Sequence, residues 1–415
     1  MLGLPYVFRG SGWIGGIVCM LLLGFVCWRT SVLIGRELNG DPRPSSFFDD
    51  SPFKTPLPPG SCAEARMRPP IKSFPDIARA TFGETGCFFL SVVLYFELFS
   101  CLCIFIVSIG DHLHTLFPAV SHDMHVIFVG AATVIPTVVL RTPRLLSYLS
   151  MVGTFSTIAV VLAVVFAATF EGDISGRVKD GSAVQKQERN LLEDTESYHT
   201  YWRASGLPLS LGLVAYCFSG HAIVPSIYSS MQRPQDFERM IDVSFLIVTI
   251  ACFAVGFSGY YMFGDAVLDQ VTLSLEMNSS AVFLMKILTW LIVMTSFSKY
   301  ILTMYPLALG MEEIVAPSLT SDLLMRFASS IIKLVLTAVA VIVSIYFPSF
   351  NFLCALVGMV CTMSVSVIFP AAAHLKMFNN RLGLLEKFLD WSFVIVGIAL
   401  AIIGTYATIR SGAGG

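Results

Sequence analysis

Residues 1–13 read MLGLPYVFRGSGW, an apolar run that is interrupted by glycine and proline. Gly3 and Pro5 disrupt the hydrogen-bond ladder of a helix, and residues 9–12 predict a tight polar turn before the next apolar run. Backbone released at membrane depth has to line a cavity or be buried in protein. If the helix restarts over residues 4–8, its free N–H groups form the positive end of a dipole that favours an anion. The stretch therefore predicts a broken membrane span with a binding site at the break.

The eight residues before Arg9 are too few for a complete span. At about 1.5 Å per residue they cover roughly 12 Å, whereas the hydrocarbon core needs about 30 Å. A signal peptide would need a basic leader and a small-residue cleavage site, and this stretch has neither. We therefore expect the first span to be truncated, with an upstream half-helix outside this sequence.

The composition indicates a membrane protein. Of 415 residues, 55% are hydrophobic and only 13% are charged, whereas soluble domains carry roughly 25% charged residues. The mean hydropathy is +0.75. A net charge of −2 offers no basic surface, so we expect no nucleic-acid partner. Nine of the ten cysteines lie in apolar runs, which favours neither a disulfide framework nor a metal site.

Ten further apolar runs follow the broken first span, and each is about long enough to cross a membrane. They lie near 13–35, 86–109, 124–140, 145–170, 207–231, 242–264, 281–310, 324–347, 350–373 and 388–409. Two long polar segments separate some of these runs: a proline-rich segment over 36–85 and a segment with charges of both signs over 171–206. The pattern predicts an all-α integral membrane protein.

The distribution of Lys and Arg predicts the orientation of the chain. These residues concentrate in the loops on one side, above all in 36–85, while the short loops on the other side carry few. We therefore expect 36–85 to be a cytosolic loop, and 171–206 and the tail 410–415 to face a lumen or the outside. The sequon Asn278-Ser279-Ser280 falls on that non-cytosolic side and predicts glycosylation of Asn278.

The sixth span, near 207–231, is also interrupted. Ser219 and Gly220, followed by Pro225, weaken the helix at about the depth at which the first span breaks. Interrupted spans five spans apart are typical of transporters built from two inverted five-helix repeats, although glycine and proline also produce simple kinks. We predict such repeats plus an eleventh helix, in a single transmembrane transporter domain over 1–409.

Motifs spread over the first eight spans carry a family resemblance. They are LGLPYVF at 2–8 with GW at 12–13, SFPDIARATFG at 73–83, LYFEL at 94–98, GDHLHTLFP at 110–118, FSGHAIVPSIYSSMQRP at 218–234, GYYMFGD at 259–265 and FSKYILTMYPLALGMEE at 297–313. The chain resembles the amino acid/auxin permeases, and within them the vacuolar amino-acid transporters of plants and fungi. The resemblance implies an eleven-helix, LeuT-like fold that moves amino acids across a vacuolar or lysosomal-type membrane. It also implies that transport is usually coupled to protons, and sodium is the less favoured alternative.

The two broken spans supply the candidate substrate-binding residues. Backbone N–H groups for the carboxylate of an amino acid are expected at Gly3 and Leu4. Backbone carbonyls for its ammonium group are expected at Phe218, Ser219 and Gly220. Side chains that line a pocket for the variable group are expected at Tyr216, Phe218 and His221. The alternative is that both breaks are only kinks and that the aromatic side chains serve in packing.

Three polar residues inside spans are candidates for ion coupling. Insertion of an ionisable residue such as Glu97 at mid-span costs on the order of 2.5 to 3.5 kcal/mol of free energy. Glu97 therefore either takes up a proton from an acidic lumen or is a hydrogen-bonded structural residue. In sodium-coupled relatives of the fold a cation lies between spans one and eight, and by analogy the Lys299 ammonium replaces it. The alternative is that Lys299 snorkels toward an interface or pairs with Glu97. Thr303 offers a hydroxyl to an ion or substrate, or bonds to its own helix.

Four histidines gather around one predicted lumenal loop, where a solvated loop is favoured over a pH sensor or a metal site. They are His112, His114, His122 and His125. HExxH, GxSxG and Walker A motifs are absent from the sequence, so we expect neither an enzyme nor a cofactor.

The sequence therefore predicts a secondary active transporter of amino acids, with the amino acid, protons and the lipid bilayer as partners. The alternative is an amino-acid sensor of the same fold, which has little flux and signals through 36–85.

Overall fold

The computed structural model describes residues 1–40, 73–139, 143–172, 199–278, 282–315, 322–347 and 349–412. Within these ranges the chain is helical and contains no strand. Eight of the described helices are long and apolar enough to cross a membrane, and two shorter apolar helices accompany them. These findings confirm the prediction of an all-α membrane protein.

The first helix, α1 (Leu4–Asn39), contains both the broken first span and the second predicted span. It begins at Leu4 because the fixed backbone of Pro5 suits the first helical turn. The expected restart of the helix at this position is confirmed. The predicted polar turn over 9–12 is wrong in extent, because only Gly12 leaves the helical conformation, with φ 79° and ψ 175°. Glycine adopts this positive φ readily because it has no Cβ.

The segment 200–203 pairs with α1 at the Gly12 break. Its carbonyls accept hydrogen bonds from the amides of Trp13 and Ile14, each at 3.1 Å, and the Arg203 amide donates to Ser11 O at 3.0 Å. Peptide groups freed by a break inside an apolar bundle need such partners. The end of the predicted lumenal loop is therefore part of the broken span's structure.

The other helices follow in chain order. They are α2 (Phe74–Leu116), α3 (His122–Val139), α4 (Pro143–Glu171), α5 (Leu207–Cys217), α6 (Val224–Ser230), α7 (Phe237–Phe263), α8 (Val271–Asn278), α9 (Val282–Val315), α10 (Asp322–Tyr346), α11 (Phe350–Val357), α12 (Phe369–Phe378) and α13 (Leu384–Gly412). A π-helical stretch, Gly358–Ile368, joins α11 to α12 without interruption, so that 350–378 form one span.

The helix α2 begins earlier than the hydropathy predicts. Ser73 and Asp76 form a reciprocal cap, in which Ser73 N donates to Asp76 Oδ2 at 3.0 Å and Asp76 N donates to Ser73 Oγ at 3.3 Å. A break at Gly83 (φ 74°) separates this first part of α2 from the long apolar part. Residues 74–85 of the segment predicted as a loop are therefore helical.

The predicted interruption of the sixth span is confirmed. Helix α5 ends at Cys217, Ser219 and Gly220 are not helical, and a 3₁₀ turn, His221–Ile223, leads into α6. Pro225 lies in the first turn of α6, where its missing N–H costs nothing. The arrangement of the helices as two inverted repeats stays a prediction.

Close backbone contact holds α5 against the 350–378 span. A Cβ at Gly212 would overlap the Ala355 carbonyl, and a Cβ at Gly358 would overlap the Gly212 carbonyl. Glycine at these positions therefore lets two helices approach to backbone contact. The main core surrounds this crossing and includes Leu4 and Phe8 of α1.

Parts of several predicted features lie outside the described residues. These parts are 41–72 of the cytosolic loop, 173–198 of the lumenal loop, Ser279 and Ser280 of the sequon, and 413–415 of the tail. Asn278 ends α8, and the predicted tail begins inside α13. The orientation of the chain and the glycosylation of Asn278 stay predictions.

Candidate functional site

A cavity of about 330 Å³ lies inside the bundle, beside the interrupted sixth span. Its apolar walls come mainly from α2, α4, α7 and α9, through Ile104, Phe105, Val160, Val161, Val255 and Ile292. Its polar lining comprises Cys101, Ser108, Thr157, Tyr216, Cys217, Ser219, Thr295, Ser296 and Lys299. Apolar walls with a few convergent polar groups are typical of small-molecule sites, and the volume falls in their usual range.

The end of α5 supplies three of the polar residues that line the cavity. Tyr216 and Cys217 occupy its last turn, and Ser219 lies in the non-helical stretch that follows. The Tyr216 hydroxyl donates a hydrogen bond to Cys101 Sγ at 3.5 Å, which connects α5 to α2. Since the helix stops at Cys217, backbone groups as well as side chains are available on this wall.

Lys299 is the one charged side chain among the residues that line the cavity. It extends from α9, and its side chain is exposed in the cavity. The alternative in which it pairs with Glu97 is not observed, because no ion pair joins these two described residues. Lys299 therefore places a side-chain ammonium group on the wall of the cavity.

Glu97 lies behind the cavity wall and has two hydroxyl partners. Its Oε1 accepts hydrogen bonds from Ser219 Oγ and from Thr362 Oγ1, both at 2.8 Å. The residue is only 5% exposed. Ser219 lines the cavity, so the carboxyl group is one hydrogen bond away from it. This geometry fits both alternatives for Glu97, since a coupling carboxyl and a structural one both need partners.

Phe218 and His221 do not line the cavity, contrary to the prediction. Phe218 is 4% exposed and its ring stacks on Phe245 with 6.3 Å between centroids. His221 is 1% exposed, and its Nε2 lies 2.9 Å from Thr30 Oγ1 and 3.0 Å from Ser31 Oγ. The reason is that the chain turns sharply after Cys217, which rotates these side chains toward α1 and α7.

Three other predicted residues lie near the cavity without lining it. Leu4 is buried in the core, and its N–H already donates to Met1 O at 3.0 Å. Gly3 packs so tightly that a Cβ would lie 2.6 Å from Asn351 Oδ1. Thr303 lies one turn beyond Lys299 and is half-buried. Met1 and Leu2, which precede the restarted helix, do line the cavity.

A buried polar network links the cavity to the predicted lumenal end of α2. Ser108, which lines the cavity, donates to Gln270 Oε1 at 3.0 Å, and Gln270 Nε2 donates to Asp111 at 2.9 Å. His122 Nε2 lies 3.1 Å from the same carboxylate. The sequence gives one signal for this network, because Ser108 and Asp111 share a helix face, but it gives none for Gln270.

The expectation of four solvated histidines is wrong for His112 and His125. His112 is fully buried, with ring nitrogens 2.7 Å from Ser108 O and 2.9 Å from Thr272 Oγ1, and His125 is 6% exposed. Burial of His112 follows from its place on the packed face of α2. Within the described ranges, no group of three or more His, Cys, Asp or Glu side chains could hold a metal ion.

Comparison with known proteins identifies the family of the chain. The family model for transmembrane amino acid transporter proteins matches residues 1–410. The chain belongs to this family. The sequence resemblance is thereby confirmed, and the family is one of transporters and not of enzymes.

Several Arabidopsis thaliana members of the transmembrane amino acid transporter family are similar to the chain over almost its whole length. Amino acid transporter AVT1D is 29% identical over 99% of this chain and 66% of its own length. Amino acid transporter AVT1E is 28% identical over 99% of this chain and 70% of its own length. Amino acid transporter ANT1 is 24% identical over 99% of this chain and 88% of its own length. The chain thus spans about two thirds of the length of the first two relatives.

Proposed function

We propose that this chain is a secondary active transporter of amino acids and that the 330 Å³ cavity holds the substrate. The observation that carries the proposal is the position of Lys299 and the end of α5 on the walls of one cavity. A family of amino acid transporters and a cavity with space for a small molecule support the same function.

Lys299 binds the substrate carboxylate in this proposal. A charge-assisted hydrogen bond from its ammonium group is stronger than a bond between neutral groups. The backbone N–H groups of Gly3 and Leu4 also bind the carboxylate once Leu4 N–H gives up its hydrogen bond to Met1 O. The carbonyls of 218–220 accept hydrogen bonds from the substrate ammonium group. The positive charge of Lys299 makes a sodium ion at this place unnecessary.

Glu97 couples the substrate to a proton. A proton on this carboxyl group changes its hydrogen bond to Ser219, and Ser219 is part of the cavity wall. The state of the carboxyl group therefore reaches the substrate through a single contact. Transport across a vacuolar or lysosomal-type membrane is part of the proposal, because an acidic lumen supplies the proton.

Uptake of radiolabelled amino acids into liposomes that contain the full chain tests the proposal, with and without a pH gradient. We expect uptake that needs the gradient and is lost in Glu97→Gln. The matched control is Glu84→Gln, which changes an exposed carboxylate of the same helix. Uptake driven by sodium without a pH gradient would overturn proton coupling. Binding of an amino acid without any uptake would favour the sensor instead.

A further inference from the structure

A second group of ionisable side chains lies far along the bundle from the cavity, where α1 and α12 end and α13 begins. Glu37, His374 and Asp390 are each 0% exposed. His374 Nδ1 lies 2.7 Å from Asp390 Oδ2, so the imidazole and this carboxylate form a buried pair. Glu37 lies on the face of α1 that packs on α12, and the charge of Asp390 acts on it.

Four polar atoms of this group have no hydrogen-bond partner among the described residues. They are both carboxyl oxygens of Glu37, Nε2 of His374 and Oδ1 of Asp390. Buried polar atoms almost always have a partner, because an unpaired polar group is costly away from water. The two carboxyl groups and the imidazole therefore carry more unpaired acceptor atoms than donors.

The positive charges around this group do not remove the excess. Arg36 Nε donates to Glu238 at 3.2 Å, and Arg36 Nη1 lies 3.8 Å from Glu386. The charge of Arg29 acts on Asp390, Glu386 and Glu238. On α12, Lys376 lies over the ring of Phe82 at 4.8 Å. Among the described residues, no cation is bound to the Glu37 carboxyl group.

We propose that Glu37, His374 and Asp390 form a proton-binding site that is separate from the cavity and from Glu97. A proton on Glu37 removes one buried negative charge and converts an acceptor oxygen into an O–H donor for the remaining acceptors.

The site lies at an end of the bundle where a cleft opens, and the helix of His374 connects this end with the surroundings of Glu97. A cleft of about 680 Å³, lined by Gly40, Lys376 and Phe378, opens at the same end of the bundle. The helix that carries His374 continues back through the π-helical stretch to Thr362, the partner of Glu97. The 350–378 span therefore contacts Glu97 through Thr362 and Asp390 through His374.

Infrared spectroscopy of the purified full chain tests the site without any measurement of transport, so it does not depend on the proposed function. The band of a protonated carboxyl group is recorded from about pH 5 to 8. We expect Glu37→Gln to remove a band that the wild-type chain shows at the acidic end and that Glu84→Gln retains. Glu97→Gln assigns any band of Glu97.

A carboxyl band that is the same in Glu37→Gln and in the wild-type chain at every pH would overturn the proposal. Loss of the band on addition of sodium or potassium would assign the site to a metal cation and would also overturn it. If Glu37→Gln does not fold, His374→Gln tests the same point. In His374→Gln the frequency of the protonated carboxyl band is expected to change, because the variant alters a side chain of the site. An unchanged frequency would contradict the proposed site.

Discussion

Ser219 donates a hydrogen bond of 2.8 Å to Glu97 across the gap between the interrupted sixth span and α2. Ser219 is not held in a helix, whereas Glu97 is fixed in the middle of one. Any movement of the interrupted segment therefore changes the hydrogen bonding of a buried carboxyl group. Thr362 donates to the same oxygen from the π-helical stretch, so three spans meet at one atom.

Thr362→Val removes one hydrogen bond from Glu97 and keeps the shape of the side chain. A hydrogen bond to a charged group contributes about 1.5–3 kcal/mol, so we expect uptake to fall about tenfold or more in the liposome assay. Thr405→Val is the matched control, because Thr405 Oγ1 has no hydrogen bond among the described residues. Equal uptake by both variants would show that Thr362 does not support Glu97.

Gly12→Ala is expected to destabilise the chain by about 2–4 kcal/mol, from a positive φ and from overpacking. A Cβ at this position would lie 2.6 Å from the backbone of Tyr201. Gly83→Ala is the control, because Gly83 has a similar φ of 74° but nothing within 4 Å of its Cβ position. It should lose only about 1–2 kcal/mol. Thermal unfolding in detergent measures both, and equal losses would contradict the contact with 200–203.

Thiol labelling tests whether Cys217 faces the cavity. Cys217 lines the cavity, whereas its neighbour Cys252, at 4.0 Å between sulfur atoms, is 0% exposed. We expect a small maleimide to modify Cys217 and not Cys252, and a transported amino acid to slow the modification several-fold. Peptide mass spectrometry identifies the modified residue. Modification of Cys217 at the same rate with and without every amino acid would contradict a substrate site there.

The Asp269 carboxyl group makes stability depend on pH. Asp269 lies in the loop before α8, and burial raises the pKa of its carboxyl group above the ordinary 3.8, against the effect of Arg9. The folded chain thus holds this proton more tightly than the unfolded chain. The stability that the proton contributes is present at low pH and is lost as the pH rises through the raised pKa.

Asp269→Asn should therefore lose less stability than the wild-type chain when the pH rises from about 4 to 7. The midpoint of thermal unfolding in detergent at several pH values measures the difference. Asp123→Asn, at an exposed carboxylate, should follow the wild-type curve. Parallel curves for Asp269→Asn and the wild-type chain would contradict the role of Asp269.

Hydropathy and helix breakers predict which parts of this chain are helical, because both depend only on residues near in sequence. The restart at Leu4 and the stop after Cys217 follow from adjacent glycine, proline and serine residues. The early start of α2 depends on a Ser73 cap, which an apolar scan does not detect.

The direction in which a side chain points is harder to predict where the backbone is irregular. The backbone between Cys217 and Val224 follows no fixed period, so sequence spacing could not orient Phe218 or His221. The pairing of Asp111 with Gln270 joins residues far apart in sequence, and only the packing of the helices brings them together.

The π-helical stretch of 11 residues gives the 350–378 span a way to rotate about its own axis. Its hydrogen bonds skip one residue more than those of an α-helix, and a shift of one residue turns a helix by about 100°. The contact with Gly212 fixes the start of the π-helical stretch at Gly358. A change of register in the π-helical stretch would therefore rotate the part of the span that carries His374 relative to Asp390. The part of the span before Gly358 would keep its position.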